Sequence, residues 1–339
     1  VDGQVHVYVK HRGGGKDQTA ESELKPDLFG NKPNKQSHEG VEEVFYKLDE
    51  VVIPHFLSDT QETREELVQY YQSISRVDQG IAELVKILKE ADLYDKTMTI
   101  FTADHGMAFA GGKTTVYEGG LRVPFVVRNP YEENRGIEHE AMISHVDITP
   151  SILDFAGGLD HKTNQPKKMV DAKKYWKEKE YANKENLGPR GGIKQYHGKS
   201  WLPILGTPDA EHWNEIFASH TFHEIQMYYP MRVIRDKEYK LIWNIAHGLP
   251  YPFASDLWAA SSFQAQFQKS LDAPYGQKSV GEYINRPKFE FFKIGDDPVE
   301  ANNLANDPAY AEKLDEYQKK LKAMQKKMND PWITKWEYE

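Results

Sequence analysis

Residues 97–130 read TMTIFTADHGMAFAGGKTTVYEGGLRVPFVVRNP, and the fold class turns on how this stretch is read. Met98 to Thr102 is apolar and β-branched, which predicts a buried strand, and Val123 to Val127 predicts a second one returning to the core. The first strand empties into Asp104-His105-Gly106. The carboxyl end of a strand is where an α/β sheet keeps its chemistry, and a carboxylate beside an imidazole there can face one cation. Gly106 lets the backbone turn away, and Gly111-Gly112 then delivers Lys113, a compact cation suited to an anionic oxygen. A plain hydrogen-bonded turn is the competing reading, because Asp and Gly are ordinary turn residues.

The longer string separates these readings. Thr102-Ala103-Asp104-His105-Gly106, then Gly111-Gly112-Lys113-Thr114-Thr115, then Tyr117-Glu118-Gly119-Gly120-Leu121-Arg122-Val123-Pro124 resembles the type I sulfatases of the alkaline-phosphatase superfamily. The resemblance implies that Asp104 and His105 hold a divalent cation, usually calcium, and that Lys113 contacts the sulfate. It also implies an α/β fold: an alkaline-phosphatase-like sheet flanked by helices, its N-terminal part missing, with a smaller C-terminal α+β subdomain. The corresponding division is a partial catalytic domain over 1–160, a basic insertion over 161–200, and the subdomain over 201–339.

Composition is compatible with this. The chain has 339 residues, 28% of them charged, and a net charge of −9, with no cysteine and a mean hydropathy of −0.72. No apolar run is long enough to span a membrane, and no nucleic-acid partner is expected of so acidic a chain. The lack of cysteine removes disulfides, thiolate metal sites and thiol nucleophiles together. No leader is evident, and no internal repeat occurs.

Towards the N-terminus, Val5 to Val9 alternates like a short strand and ends in Lys10-His11-Arg12 before three glycines. That basic cluster reads either as an anion site or as a solvated turn. The resemblance favours the former, since sulfatases of the heparan N-sulfatase branch carry a His-containing motif at a strand end there, with Pro where this chain has Lys10. By that resemblance His11 protonates the leaving group and Arg12 contacts substrate. Lys25 to Leu57, punctuated by Pro and Gly, predicts a long loop. A helix is predicted after Ser58, capped by Asp59 or Thr60, with Leu67, Tyr70, Tyr71, Ile74, Val77, Ile81, Leu84, Val85 and Leu88 at helical spacing as core.

Beyond the central stretch, Ile143 to Gly158 predicts a turn, a helix starting near Thr149-Pro150 and a glycine stop. His145 and Asp147 invite a metal reading, but an Asp just ahead of a helix more often serves backbone amides. In 161–200 Lys and Arg outnumber Asp and Glu, which reads as a solvated excursion or as a patch steering a polyanion. Strands are then predicted at Ile216–Ser219, Met231–Ile234, Tyr239–Asn244 and Phe289–Ile294, and a closing helix over 308–329 with Leu314, Tyr317, Leu321 and Met324 on one face. Within Ser219–Arg232, His220, His223, Glu224 and Arg232 stand among aromatics. They read as sugar-binding residues or as an ordinary packed loop, and the resemblance to the heparan N-sulfatase branch favours substrate contact.

The Cys/Ser-x-Pro-x-Arg motif that sulfatases convert to formylglycine does not occur, nor does their N-terminal Asp pair. The simplest expectation is that the chain begins downstream of both, that formylglycine belongs only to a missing segment, and that this chain binds sulfated sugar without turning it over. The resemblance implies a hydrolase of sulfate esters or sulfamates on glycosaminoglycan-type sugars such as N-sulfoglucosamine. A phosphatase or phosphonate hydrolase of the same superfamily, and a non-catalytic sulfated-glycan-binding protein, stay open. A homodimer and a periplasmic, secreted or lysosomal location are compatible with the resemblance.

Overall fold

A computed structural model describes residues 40–338 apart from 43, 168–195, 209, 225 and 226. The expected strand at Val5–Val9, His11, Arg12 and most of the basic segment therefore lie outside the described residues.

Residues 40–57, apart from 43, are turns and irregular chain, and the earlier part of the loop expected from Lys25 lies outside the described residues. Helix α1 (Gln61–Glu90) follows, and Thr60 caps it by accepting the Thr63 amide at 3.2 Å. Asp59 does not cap; it pairs with Arg64 at 2.6 Å. The predicted core stripe of α1 is only partly core. Leu67 is buried, and Tyr70 and Tyr71 pack on the main cluster, but Ile74, Val77 and Leu84 are about half exposed.

Strands β1 (Thr99–Thr102) and β2 (Phe125–Arg128) pair antiparallel as a two-stranded sheet, with Ile100 opposite Val127. The prediction of a buried strand fails here: no residue of β1 is buried and Phe101 is 39% exposed. Two strands bury an apolar face only where another layer covers them, and no third strand joins β1 or β2 among the described residues. Helix α2 (Ile148–Phe155) stops at Gly157, whose φ of +68° suits glycine.

The C-terminal layer is an antiparallel sheet of β3 (Glu215–His223), β4 (Met227–Asp236), β5 (Lys240–Asn244) and β6 (Phe289–Phe292), in the order β6-β5-β4-β3. Helices α3 (Ser255–Ala259) and α4 (Ser261–Phe267) lie between β5 and β6 in sequence, and α5 (Ala311–Met328) follows. Alternation along the strands separates two cores. Tyr229, Met231, Val233 and Ile242 face a cluster shared with Leu67, Phe109 and Val116 of the N-terminal half. Ile234, Leu241, Trp243 and Phe291 face Tyr317 and Leu321 of α5.

The larger core is thus built by both halves, and polar contacts reinforce it. Glu66 of α1 accepts the Ser261 amide at 2.6 Å and the Ser261 hydroxyl at 2.7 Å. Lys240, on the face shared with Ile242, is fully buried between Glu118 (3.1 Å) and Glu300 (2.8 Å). Its ammonium offsets carboxylates that would otherwise be costly to bury.

Candidate functional site

The loop after β1 folds back on itself because its glycines allow backbones to touch. Gly106 donates to the Gly120 carbonyl at 3.0 Å, and a Cβ at Gly106 would lie 1.8 Å from the Gly119 oxygen. The Lys113 amide donates to the Met107 carbonyl at 2.8 Å. These bonds return the chain at Lys113 to a point two residues past His105.

Asp104 and His105 project from this turn. Asp104 Oδ1 accepts the His105 amide at 3.0 Å, and its side chain is otherwise exposed. His105 Nδ1 lies 2.7 Å from the Gly106 carbonyl oxygen; a carbonyl only accepts, so Nδ1 is the donor and Nε2 is left for other contacts. That Nε2 faces Asp104 Oδ2 at 3.6 Å, an arrangement of two electron-pair donors open to a cation. Calcium takes six to eight oxygens, and one carboxylate with one imidazole falls short of that. Among the described residues no group of three or more His, Cys, Asp or Glu could hold a metal ion, so they do not by themselves fit a calcium ion.

Lys113 does not point into open solvent. Its ammonium lies 2.6 Å from Asp256 Oδ2 at the start of α3, and only 17% of the side chain is exposed. The next residue, Thr114, has φ +65°, a conformation rare for a β-branched residue. Tyr251 holds it there: the phenol donates to the Thr114 carbonyl at 2.7 Å and meets its Oγ1 at 2.8 Å. Burial raises the Tyr251 phenol above its usual range and keeps it protonated, with the Arg286 guanidinium stacked 3.6 Å from its ring centre. Strain of this kind persists only where the surroundings over-determine it, and here it fixes the direction in which Lys113 leaves the loop.

Glu224 joins the same neighbourhood. It has φ +54°, and its Oε1 accepts the Ser255 hydroxyl at 3.2 Å, one residue before Asp256. His220 lies opposite Met231 in the β3–β4 register, on the face of the shared core. Its Nδ1 is 3.1 Å from the Tyr229 carbonyl, so that nitrogen is the donor. Burial lowers the pKa of the imidazole and keeps it neutral, and Nε2 has no partner among the described residues. His223 pairs with Met227 at the hairpin end and is half-buried.

Arg232 does not join them. It is 2% exposed, on the opposite face of β4, with Nε and Nη2 bonded to the two Asp330 oxygens at 2.5 and 3.0 Å. Nη1 donates to the His220 and Met231 carbonyls at 3.1 and 2.8 Å, so every guanidinium nitrogen is committed, which takes Arg232 out of the candidate substrate set. Asp147 serves backbone amides, accepting those of Ser144 and Lys199 at 2.8 Å each, and makes no side-chain bond to the helix it precedes. His145 Nε2 comes within 3.4 Å of Thr102 Oγ1 at the end of β1. Tyr251 and Asp256 were not among the expected residues. They lie 137 and 143 positions from their partners, and no local pattern marks a hydroxyl or carboxylate for so distant a contact.

Residues 14–158 match the sulfatase family model. Human N-sulphoglucosamine sulphohydrolase is 30% identical over 289 residues, which are 84% of this chain and 52% of that protein. An ulvan-active sulfatase of Formosa agariphila is 28% identical over 247 residues, 71% of this chain and 39% of that one. The chain therefore spans about half the length, or less, of these curated relatives. Among solved structures, one in complex with its substrate D-glucosamine-2-N,6-O-disulfate superposes with a TM-score of 0.52 at 21% identity, covering 81% of this chain and 44% of that one. Another, from glycosaminoglycan metabolism in Bacteroides thetaiotaomicron, gives 0.52 at 18% identity, covering 85% and 49%. At these identities the likeness is one of fold, and it bears out the expected α/β class.

Proposed function

We propose, from the match of residues 14–158 to the sulfatase family model and the 30% identity to human N-sulphoglucosamine sulphohydrolase, that the loop Asp104–Thr115 is half of a site for sulfated amino sugars of the glycosaminoglycan type, in a hydrolase of sulfate esters or sulfamates. The observation that carries this reading is the closure of the loop. The Lys113–Met107 and Gly106–Gly120 backbone bonds return the chain at Lys113 to the turn from which Asp104 and His105 project.

Each residue has a stated part in this proposal. Lys113 neutralises charge on the sulfuryl oxygens. Asp104 and His105 supply two ligands to a divalent cation, and His11 donates the proton to the leaving nitrogen or oxygen. Glu224, with His223 and His220 behind it on β3, contacts the sugar, and Arg12 accompanies His11. The described donors alone are too few to hold calcium. No helix among the described residues is long and apolar enough to cross a membrane.

Calorimetric titration of the 339-residue chain with N-sulfoglucosamine tests the reading. We expect salt-sensitive binding that Lys113→Ala weakens about tenfold, or 1.4 kcal/mol, because an ammonium is lost opposite an anion. Binding indifferent to both salt and Lys113→Ala would place the sugar elsewhere. Tighter binding of a phosphate monoester than of the sulfated sugar would favour a phosphatase.

A further inference from the structure

We propose that Asp256 determines which sulfated sugars are accepted at Lys113, by acting as its counter-ion and as an acceptor for donor groups of the sugar. The proposal rests on the reading of Lys113 as the sulfate-contacting cation, and deepens it.

The geometry of Lys113 is set from two sides. Its backbone is tied to Met107, and its neighbour Thr114 is pinned in the left-handed region by the buried Tyr251 hydroxyl. The side chain therefore leaves the loop in one direction, and at its end stands Asp256 Oδ2, 2.6 Å away. Asp256 Oδ1 accepts the Leu257 amide at 3.0 Å, which holds the carboxylate in place, and the side chain stays 46% exposed. Ser255 links the adjacent backbone to Glu224 at 3.2 Å, so one cation and two carboxylates form a polar strip open to solvent.

Such a strip discriminates by chemistry. An incoming sulfate must share Lys113 with Asp256, which costs a bare anion part of its attraction. A sugar recovers that loss when its hydroxyl or amino hydrogens donate to Asp256 and Glu224, because carboxylates accept strong charge-assisted hydrogen bonds. A second sulfate brought to the same strip meets two negative charges and gains nothing. The preferred ligand is thus an amino sugar bearing one sulfate at Lys113 and hydrogen-bond donors, not further sulfates, towards Asp256.

The experiment compares the full chain with its Asp256→Asn and Lys113→Ala variants, titrating inorganic sulfate and N-sulfoglucosamine and measuring the acylation rate of Lys113 by mass spectrometry. Asp256→Asn is expected to tighten inorganic sulfate about fivefold, the scale of a partly exposed ion pair, and to remove the preference for the sugar. It should also speed Lys113 acylation severalfold by releasing the amine. Glu224→Gln provides a second variant should Asp256→Asn fold poorly, with a smaller loss of the same preference. An unchanged preference for sugar over sulfate would overturn the role of Asp256, and an unchanged acylation rate would overturn the pairing itself. Sulfate binding unaltered by Lys113→Ala would instead defeat the proposed function.

Discussion

Strand β5 has all five residues buried, whereas β1, similar in length, has none buried and leaves Phe101 39% exposed. The two strands also differ in what surrounds them. β5 runs between two partners, with the shared core on one face and α5 on the other, so even its lysine is fully buried. Among the described residues β1 has one partner, β2, where Val126 is 61% exposed. Burial is a property of the layers around a strand, and the candidate site occupies the boundary between these regions. Its Asp104 and His105 come from the open sheet, while Tyr251, Asp256 and Glu224 come from the dense layer and direct its lysine.

The sharpest way to break this contrast is at the buried pair behind β4. Asp330→Ala leaves the Arg232 guanidinium buried without its carboxylate, and should cost about 3–5 kcal/mol in urea unfolding. The same pair has an acid limb. Burial would raise Asp330, but Arg232, Gln325 and the Trp332 amide outweigh it and hold its pKa below 3.8. A carboxylate with a depressed folded pKa binds protons more readily when unfolded, so its contribution is complete above 3.8 and disappears as the pH falls through the folded value. Asp330→Ala should lose that dependence. An Asp330→Ala protein as stable as the parent would mean that the C-terminal layer is not packed as described.

A matched pair of truncations measures the contrast itself. Phe291→Ala, at a fully buried position of β6, should cost about 3–5 kcal/mol, whereas Phe101→Ala on β1 should cost under about 1 kcal/mol. Equal losses would show that β1 is covered in solution, and the distinction between the two regions would fall. Smaller still, Tyr251→Phe removes the hydroxyl that holds Thr114 and should cost about 1 kcal/mol of stability. It should weaken sulfate binding by more than it weakens folding, because Lys113 loses its fixed direction. A loss of stability with sulfate affinity intact would make Tyr251 a packing residue only.

The legible part of the molecule was the part whose signals are local. Alternation placed all four C-terminal strands within a few residues, and helical spacing placed Tyr317 and Leu321 on the face of α5 that packs the sheet. The glycine pattern after β1 likewise announced a loop tight enough to return Lys113 towards Asp104. What stayed hidden depends on distant partners. Arg232 read as a sugar contact or an ordinary loop residue among aromatics, yet a carboxylate 98 residues later takes the Nε–Nη2 edge of its guanidinium. The helical spacing of Ile74, Val77 and Leu84 promised a core, but spacing identifies only the face that would be covered, not what covers it.

The most direct test of the account is a chemical-shift map of the labelled chain titrated with N-sulfoglucosamine. The account predicts perturbations concentrated at Asp104–Thr115 together with Glu224 and Asp256, fading at high salt and absent at Arg232 and Asp330. Shifts centred away from that loop, or none at Lys113 and Asp256 under saturating sugar, would contradict the claim that sulfate is bound where the open sheet meets the dense layer.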